Sequence, residues 1–322
     1  MNTLNCQKGA VVFREGEAAN CMYEVLRGRV GIYAFYDEAY PEKLDELGAH
    51  GVFGEMGFMD AQSRSATAVA MEESELREIG IGELRSYFRE KPEKLLDIMR
   101  YLGNRTRDLT QDYSKLREAL RESAKSMGLL KEKREGVWQM LVKFAERYHG
   151  AHKPWPVQQG ENAPEDDDHS KGFAKQVRSY QKGEVIFREG DESGCMYDIH
   201  WGSVGIYLNY GAENEKLLIT LTVNRFFGEI GMLHSLPRSA TAVAMEDDTQ
   251  LELIAPEDLE ELMEKNPNKV EMIMKHLSSR LRSLTRDYMD ACRLASELVR
   301  AEQSGDALSE ETKARILIHT GE

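Results

Sequence analysis

The sequence has no apolar run of about 18 residues, the length a helix needs to cross a bilayer, so no membrane span is expected. Its first residues, Met1-Asn2-Thr3-Leu4-Asn5, show neither a charged n-region nor an apolar h-region, which argues against a secretory signal. Cysteine is scarce: Cys6, Cys21, Cys195 and Cys292 stand apart without Cys-x-x-Cys spacing, so neither a disulfide framework nor a zinc or iron–sulfur site is expected. A reducing cytoplasm suits such a chain. The 8 histidines contain no His-x-His pair of the kind a metal-dependent barrel enzyme needs beside a carboxylate, and His149 and His152 read as surface residues. Nucleophile elbow, Walker A loop and HExxH sequence are all missing, so no enzyme is expected. Basic residues are in deficit, 42 against 56 acidic ones, for a net charge of −14. A polyanion such as DNA would be repelled by that field. No helix-turn-helix segment is evident, and the short polar stretch after Leu298 leaves little room for one.

What is present is a duplication. Lys8–Gly16 (KGAVVFREG) lies on Lys182–Gly190 (KGEVIFREG), Cys21-Met22-Tyr23 on Cys195-Met196-Tyr197, and Val30-Gly31-Ile32-Tyr33 on Val204-Gly205-Ile206-Tyr207. Phe53–Glu72 lies on Phe227–Glu246 with thirteen of twenty positions identical. Further on the register slips by one residue, and Leu109-Thr110 meets Leu284-Thr285, Asp112-Tyr113 meets Asp287-Tyr288. A unit of this length is a whole domain, not a solenoid repeat.

Within each copy, short β-type runs come first: Val11–Phe13, Met22–Leu26, Arg29–Tyr33, Ala66–Met71 and Leu76–Ile79, punctuated at Glu15-Gly16, Gly28 and Gly51. Many short strands at near-even spacing predict a sandwich or jelly-roll barrel. Helical periodicity follows. Leu95, Met99, Leu102, Thr106, Leu109, Tyr113, Leu116 and Leu120 step by four and three, as do Met274, Leu277, Leu281, Leu284, Tyr288, Ala291, Ala295 and Leu298. That rhythm predicts a coiled-coil seam, paired either between two chains as a homodimer or within one chain as a pseudo-dimer; the alternative, a helix lying on its own barrel, needs only two or three turns of it. The fold class is therefore mostly β plus α, two jelly-roll barrels each followed by long C-terminal helices. The expected boundaries are 1–122 for the first domain with its helix, 123–150 for a helical connector weakened at Gly128 and Gly136 with an amphipathic piece at Val137–Tyr148, and 151–175 for an acidic Pro/Gly linker holding Glu165-Asp166-Asp167-Asp168. The second domain with its helix then covers 176–300, and 301–322 is a polar tail.

One segment in each copy carries recognisable chemistry. Phe53-Gly54-Glu55-Met56-Gly57 is followed by Arg64-Ser65-Ala66-Thr67, and Phe227-Gly228-Glu229-Ile230-Gly231 by Arg238-Ser239-Ala240-Thr241. The glycines let backbone amides approach a ligand, and a helical turn starting there would face its free N–H groups toward an anion. An arginine supplies the planar fork that fits phosphate oxygens. A glutamate repels phosphate, so its sensible partner is a sugar hydroxyl. Together these parts describe a ligand with one phosphate and one ribose.

Both segments resemble the phosphate-binding cassette of the cyclic-nucleotide-binding domain family, F-G-E-[LI]-[AG]-x(6)-R-[AST]-A-[TS], and the K-G-x-x-[IV]-x-x-E-G run before them resembles that family's early strands. The tandem layout is similar to regulatory subunits of cyclic-AMP-dependent protein kinase, and barrel with helix to the catabolite activator group without its DNA-binding domain. The resemblance implies that Glu55 and Glu229 take the ribose 2′-hydroxyl, that Arg64 and Arg238 take the cyclic phosphate, and that the amides of Gly57, Ser65, Gly231 and Ser239 complete the cradle. Gly54, Met56, Ala66, Gly228, Ile230 and Ala240 fall within the same cassettes. Thr110 and Tyr113, with Thr285 and Tyr288, are placed along the following helices where the family carries a lid, although seam packing explains them as well. Pro237 precedes the second arginine as in many members; Ser63 replaces proline in the first copy. A pseudosubstrate segment has no room in Met1–Gln7. The expected ligand is cyclic AMP, with cyclic GMP possible, no cofactor or metal, no DNA or membrane partner, and an unidentified protein effector. A ligand-independent dimerisation scaffold built on relic barrels, or a nucleotide-buffering protein, are the competing functions.

Overall fold

A computed structural model describes residues 2–34, 36–37, 41–59, 62–128, 140–142, 176–305 and 307–320. The linker expected at 151–175, its acidic run, His149, His152 and Gly136 lie outside the described residues. The chain divides into two compact units, one of 1–79, 105–160 and 279–322, the other of 80–104 and 161–278.

The first unit begins with eight strands, β1 (Asn2–Cys6), β2 (Val11–Phe13), β3 (Cys21–Arg27), β4 (Val30–Ala34), β5 (Glu42–Leu47), β6 (Val52–Phe53), β7 (Thr67–Ala70) and β8 (Ser74–Gly80), with α1 (Glu55–Met59) between the sixth and seventh. They form two four-stranded sheets, β1-β8-β3-β6 and β2-β7-β4-β5. The pairings are antiparallel, as in Val30–Tyr33 against Thr67–Ala70. Residues from both sheets, among them Phe13, Tyr23, Val25, Val30, Phe53, Ala68 and Leu76, share one buried core. Tyr23 and Val25 face this core, while Met22 and Glu24 on the other face of β3 are buried as well, so the strand is covered on both sides.

Three strands were not among those expected: β1, β5 and the two-residue β6. The first, β1, is polar (NTLNC) and mostly exposed, held as an edge partner by Asn2–Cys6 against Ser74–Glu78. The second, β5, reads EKLDEL, a helix-favouring composition, yet it pairs with β4 from Val30↔Leu47 to Ala34↔Glu42. Edge strands draw their stability from a neighbour's ladder, so local propensity says little about them.

The second unit repeats the plan with β9 (Val177–Tyr180), β10 (Val185–Phe187), β11 (Met196–Trp201), β12 (Val204–Leu208), β13 (Lys216–Leu221), β14 (Phe226–Phe227), α4 (Glu229–His234), β15 (Thr241–Ala244) and β16 (Thr249–Ile254). Its sheets run β14-β11-β16-β9 and β10-β15-β12-β13 around a core of Tyr180, Tyr197, Ile199, Val204, Phe227 and Leu251.

Helices complete each unit. The first β domain leads through a 3₁₀ turn (Ile81–Glu83) into α2 (Leu84–Glu90) and α3 (Pro92–Gly128); the second leads into α5 (Asp258–Lys265), α6 (Pro267–Ser304) and α7 (Glu310–Thr320). Proline opens both long helices, where its missing N–H costs nothing. The side-chain oxygen of Asn266 also accepts a hydrogen bond from the Lys269 amide at 3.2 Å, capping α6.

The unit boundary cuts both long helices. Residues of α3 up to Asn104 belong to the second unit and those from Arg105 to the first; α6 divides between Ser278 and Ser279. In the first unit, Leu116, Ala119 and Leu120 of α3 are buried in one cluster with Tyr288, Ala291, Cys292, Ala295 and Leu298 of α6. The later seam positions, from Leu109 on α3 and Tyr288 on α6, therefore share one cluster within the chain. Residues 310–320, expected as polar tail, form a helix because Ile316 enters the same cluster and is 1% exposed. Tyr113 and His319 join them, hydroxyl to Nδ1 at 2.9 Å, and the Arg117 guanidinium donates to the His319 carbonyl. In the second unit, α2 meets the base of α6: Arg85 hydrogen-bonds Glu271 at 3.1 Å and Asn268 at 2.7 Å. The helix α3 ends at Gly128, and residues 140–142 are helical.

Candidate functional site

The cassette of each copy spans the end of a two-residue strand, a short helix and the turn into the next strand. Gly54 and Gly228 both adopt φ of +77°, the left-handed region open to glycine, and turn the chain into α1 and α4. A side chain at either position would also collide with arginine: an added Cβ would lie 2.7 Å from Arg64 Nη1 and 2.5 Å from Arg238 Nη1. Glu55 and Glu229 open the helices and are buried, as are Gly57 and Gly231. Met56 and Ile230 are half-buried beside them. The turn closes with Gln62 N–H to the Gly57 carbonyl and Leu236 N–H to the Gly231 carbonyl.

The arginines are fixed at both ends. The backbone of Arg64 exchanges two hydrogen bonds with the β2–β3 turn, accepting from Gly16 and donating to Glu17; Arg238 does the same with Gly190 and Asp191. At the tip, Arg64 Nη1 donates to the Gly54 carbonyl at 2.7 Å, and Arg238 Nη1 to the Gly228 carbonyl at 2.7 Å. The second nitrogens differ slightly: Arg64 Nη2 lies 3.5 Å from Cys21 Sγ, whereas Arg238 Nη2 donates to the Cys195 carbonyl at 2.7 Å. Only 4% and 5% of these arginines is exposed, and their terminal nitrogens are directed at backbone carbonyls and cysteine sulfur. In both, Nε is buried and without a hydrogen-bond partner. An unpaired buried N–H costs roughly 1–3 kcal/mol. The same orphan recurs at the Nε edge of the fork in both copies.

An aromatic box surrounds each guanidinium. The Arg64 guanidinium carbon sits 4.1 Å from the centre of the Phe13 ring and 5.8 Å from Tyr23; the distances for Arg238 are 4.2 Å to Phe187 and 5.5 Å to Tyr197. Phe13, Tyr23 and Phe53 pack with centroids 5.4–5.9 Å apart, and Phe187, Tyr197 and Phe227 do the same at 5.0–5.9 Å. Burial, with hydrogen bonding to Cys21, pushes the Tyr23 hydroxyl far up, so it stays a neutral phenol; burial does the same for Tyr197. These rings stand in the sequence as part of the repeat, with no role assigned to them there.

The remaining cassette residues fall around this centre. Ala66 and Ala240 are buried; Ser65 is half-buried with its hydroxyl 3.8 Å from Met56 Sδ, and Ser239 is exposed. The four lid positions behave otherwise. Thr110 and Thr285 turn their hydroxyls back to the Thr106 and Leu281 carbonyls, Tyr113 meets His319, and Tyr288 is buried in the helix cluster. Thr285 and Tyr288 belong to the first unit, whereas the second cassette belongs to the second. The structure gathers the cassettes; it places Tyr113 and Tyr288 in helix packing and leaves Thr110 exposed.

A separate buried cluster occurs in the second unit. Asp198 and Glu252 are direct cross-strand partners on β11 and β16. His200 Nε2 lies 3.3 Å from Asp198 and 2.9 Å from Glu252, and the three could together hold a metal ion. Lys269 of α6 sits among them instead, its ammonium 2.8 Å from Asp198 and hydrogen-bonded to Glu252. Hydrogen bonds to Asp198 and Glu252 raise the His200 imidazole to about 9 against the opposing effect of burial. Burial would raise Asp198, but the hydrogen bond from His200 and the charge of Lys269 hold it low.

The Cyclic nucleotide-binding domain model matches residues 3–91 and 177–266. The cyclic AMP receptor protein of Thermus thermophilus is 33% identical over 120 residues, 37% of this chain and 55% of that protein. Human cGMP-dependent protein kinase 2 is 23% identical over 285 residues, 88% of this chain and 29% of the kinase. A putative potassium channel protein of Rhodopseudomonas palustris is 39% identical over 93 residues, 29% of this chain and 22% of that one. The chain thus spans 22–55% of the length of these relatives. Among solved structures, cAMP-bound PfPKA-R is similar at 18% identity and a TM-score of 0.32, over 97% of this chain and 83% of that one. No helix among the described residues is long and apolar enough to cross a membrane. With both copies matched over more than half of its sequence, the chain belongs to the cyclic-nucleotide-binding domain family, which it carries in tandem.

Proposed function

We propose that each β domain binds one cyclic mononucleotide and that the protein is a regulatory sensor. The observation that carries this reading is the twice-built arginine, nine-tenths buried, with its Nε unpaired beside a glycine turn. A cyclic phosphate oxygen would take the Nε edge of Arg64 or Arg238, and amides of Gly57, Ser65, Gly231 and Ser239 would add donors. The carboxylates of Glu55 and Glu229 would accept from the ribose 2′-hydroxyl. Cyclic AMP is the first ligand to test and cyclic GMP the second, since relatives named for each are similar to this chain.

The response would pass through the helices. Ligand drawn into a cassette shifts α1 or α4, and the long helices that carry Thr110, Tyr113, Thr285 and Tyr288 re-pack to offer or withdraw a surface for a protein effector. The shared cluster of α3 and α6 favours an in-chain pair over a homodimer. Thermal shift and calorimetry with cyclic AMP and cyclic GMP test the proposal. Binding at two sites that is lost in the Arg64→Ala, Arg238→Ala double variant is the expected result; undiminished affinity in that variant overturns it. A relic scaffold would show no stabilisation with either nucleotide.

A further inference from the structure

We propose that Phe13 and Phe187 are positioning residues for ligand binding, aromatic platforms that hold the Arg64 and Arg238 guanidiniums with their Nε edges presented before a nucleotide arrives. The inference rests on the function proposed above and goes beyond its cassette, since both phenylalanines come from a different strand, β2 or β10, and neither lies within the cassette segments.

The geometry carries it. A guanidinium carbon 4.1–4.2 Å from a ring centre is in the range where the cation meets the negative face of the π system. The ring is itself fixed. Phe13 packs on Tyr23 and Phe53, and Phe187 on Tyr197 and Phe227. The Gly54 and Gly228 carbonyls hold Nη1. A planar group stacked on one face and tied at one corner has no freedom left to rotate. What remains unsatisfied in both copies is Nε. An arginine side chain released from such a seat gains rotamer freedom that ligand binding must then remove. The platform therefore raises affinity by ordering the fork in advance, and its effect depends on the electrostatics of the ring, not merely on its bulk.

Fluorination separates those two properties, because it weakens the negative ring face while leaving shape and burial nearly unchanged. The full chain carrying Arg238→Ala isolates the first site; replacing Phe13 there with difluoro- and then trifluorophenylalanine gives the series, and calorimetry with cyclic AMP reads it. The Arg64→Ala chain with fluorinated Phe187 serves the second site. Affinity should fall in step with fluorination, about three- to tenfold for the trifluorinated ring, with Phe13→Tyr restoring the parent value. Affinity that stays constant or rises along the series, while the parent chain binds, overturns the platform and leaves the proposed function standing. A parent chain that binds neither cyclic AMP nor cyclic GMP overturns the function, and this inference with it.

Discussion

At the level of single residues, the two cassettes depend on glycine for reasons beyond flexibility. Gly54 turns the chain at a positive φ and leaves the space that Arg64 Nη1 occupies. An Ala at this position would strain the turn by roughly 1–2 kcal/mol and drive the guanidinium off its seat. We expect Gly54→Ala in the Arg238→Ala chain to weaken cyclic AMP binding by about tenfold or more, the value of a charge-assisted hydrogen bond, as read by calorimetry. Gly57→Ala should act differently, because its added Cβ would meet Ala19 and the Ser63 carbonyl rather than arginine. Arginine, glutamate and glycines were legible in the sequence because a duplicated motif filters them from their neighbours. Phe13 was not. An inward aromatic on a short strand is what any barrel core needs, and recurrence as Phe187 does not separate a core residue from a platform. The observation that motivates the second reading, the 4.1 Å approach of the guanidinium, belongs to the folded structure alone.

Among elements, strands and helices differ in how well the chain announced them. Runs rich in Val, Ile and Tyr predicted β2, β3, β4, β7 and β8 to within a few residues, since their buried faces impose the pattern. The polar β1 and the Glu/Lys-rich β5 left no such trace, because hydrogen bonds from β8 and β4 decide their conformation. The same limit hid α7, whose single deep anchor, Ile316, is too little for a periodic signal. The start of α6 offers a test of electrostatics at this level. It is docked on β11 and β16 through Lys269, Asp198, Glu252 and His200, and the imidazole is raised to about 9. A raised histidine stabilises the fold fully below its ordinary value near 6.5 and loses that contribution as pH climbs through its folded value. Melting temperature should therefore drop between about pH 7 and pH 10, and His200→Gln should flatten that part of the profile by lowering stability at neutral pH. An unchanged slope in the variant would show that the ammonium and the carboxylates alone anchor the helix.

For the whole molecule, the seam of four-and-three steps foretold that the long helices would pair, but period alone is blind to whether the partner lies in the same chain. The cluster of Leu116, Leu120, Tyr288, Ala295 and Leu298 answers that within the first unit. Light scattering of the ligand-free protein should accordingly give the mass of one chain; a two-chain mass that persists on dilution would place the seam between copies. Neither unit is contiguous in sequence. The first draws α7 and the end of α6 from the second repeat, and the second draws α2 and the start of α3 from the first repeat.

That exchange of segments makes each half of the gene an incomplete instruction. Residues 1–150 and 176–322 produced as separate polypeptides should each be poorly soluble, yet co-expressed they should co-purify as a stoichiometric complex, since Arg85 still finds Glu271 and Tyr113 still finds His319. The covalent connection between the repeats would then serve chiefly to keep their copy number equal.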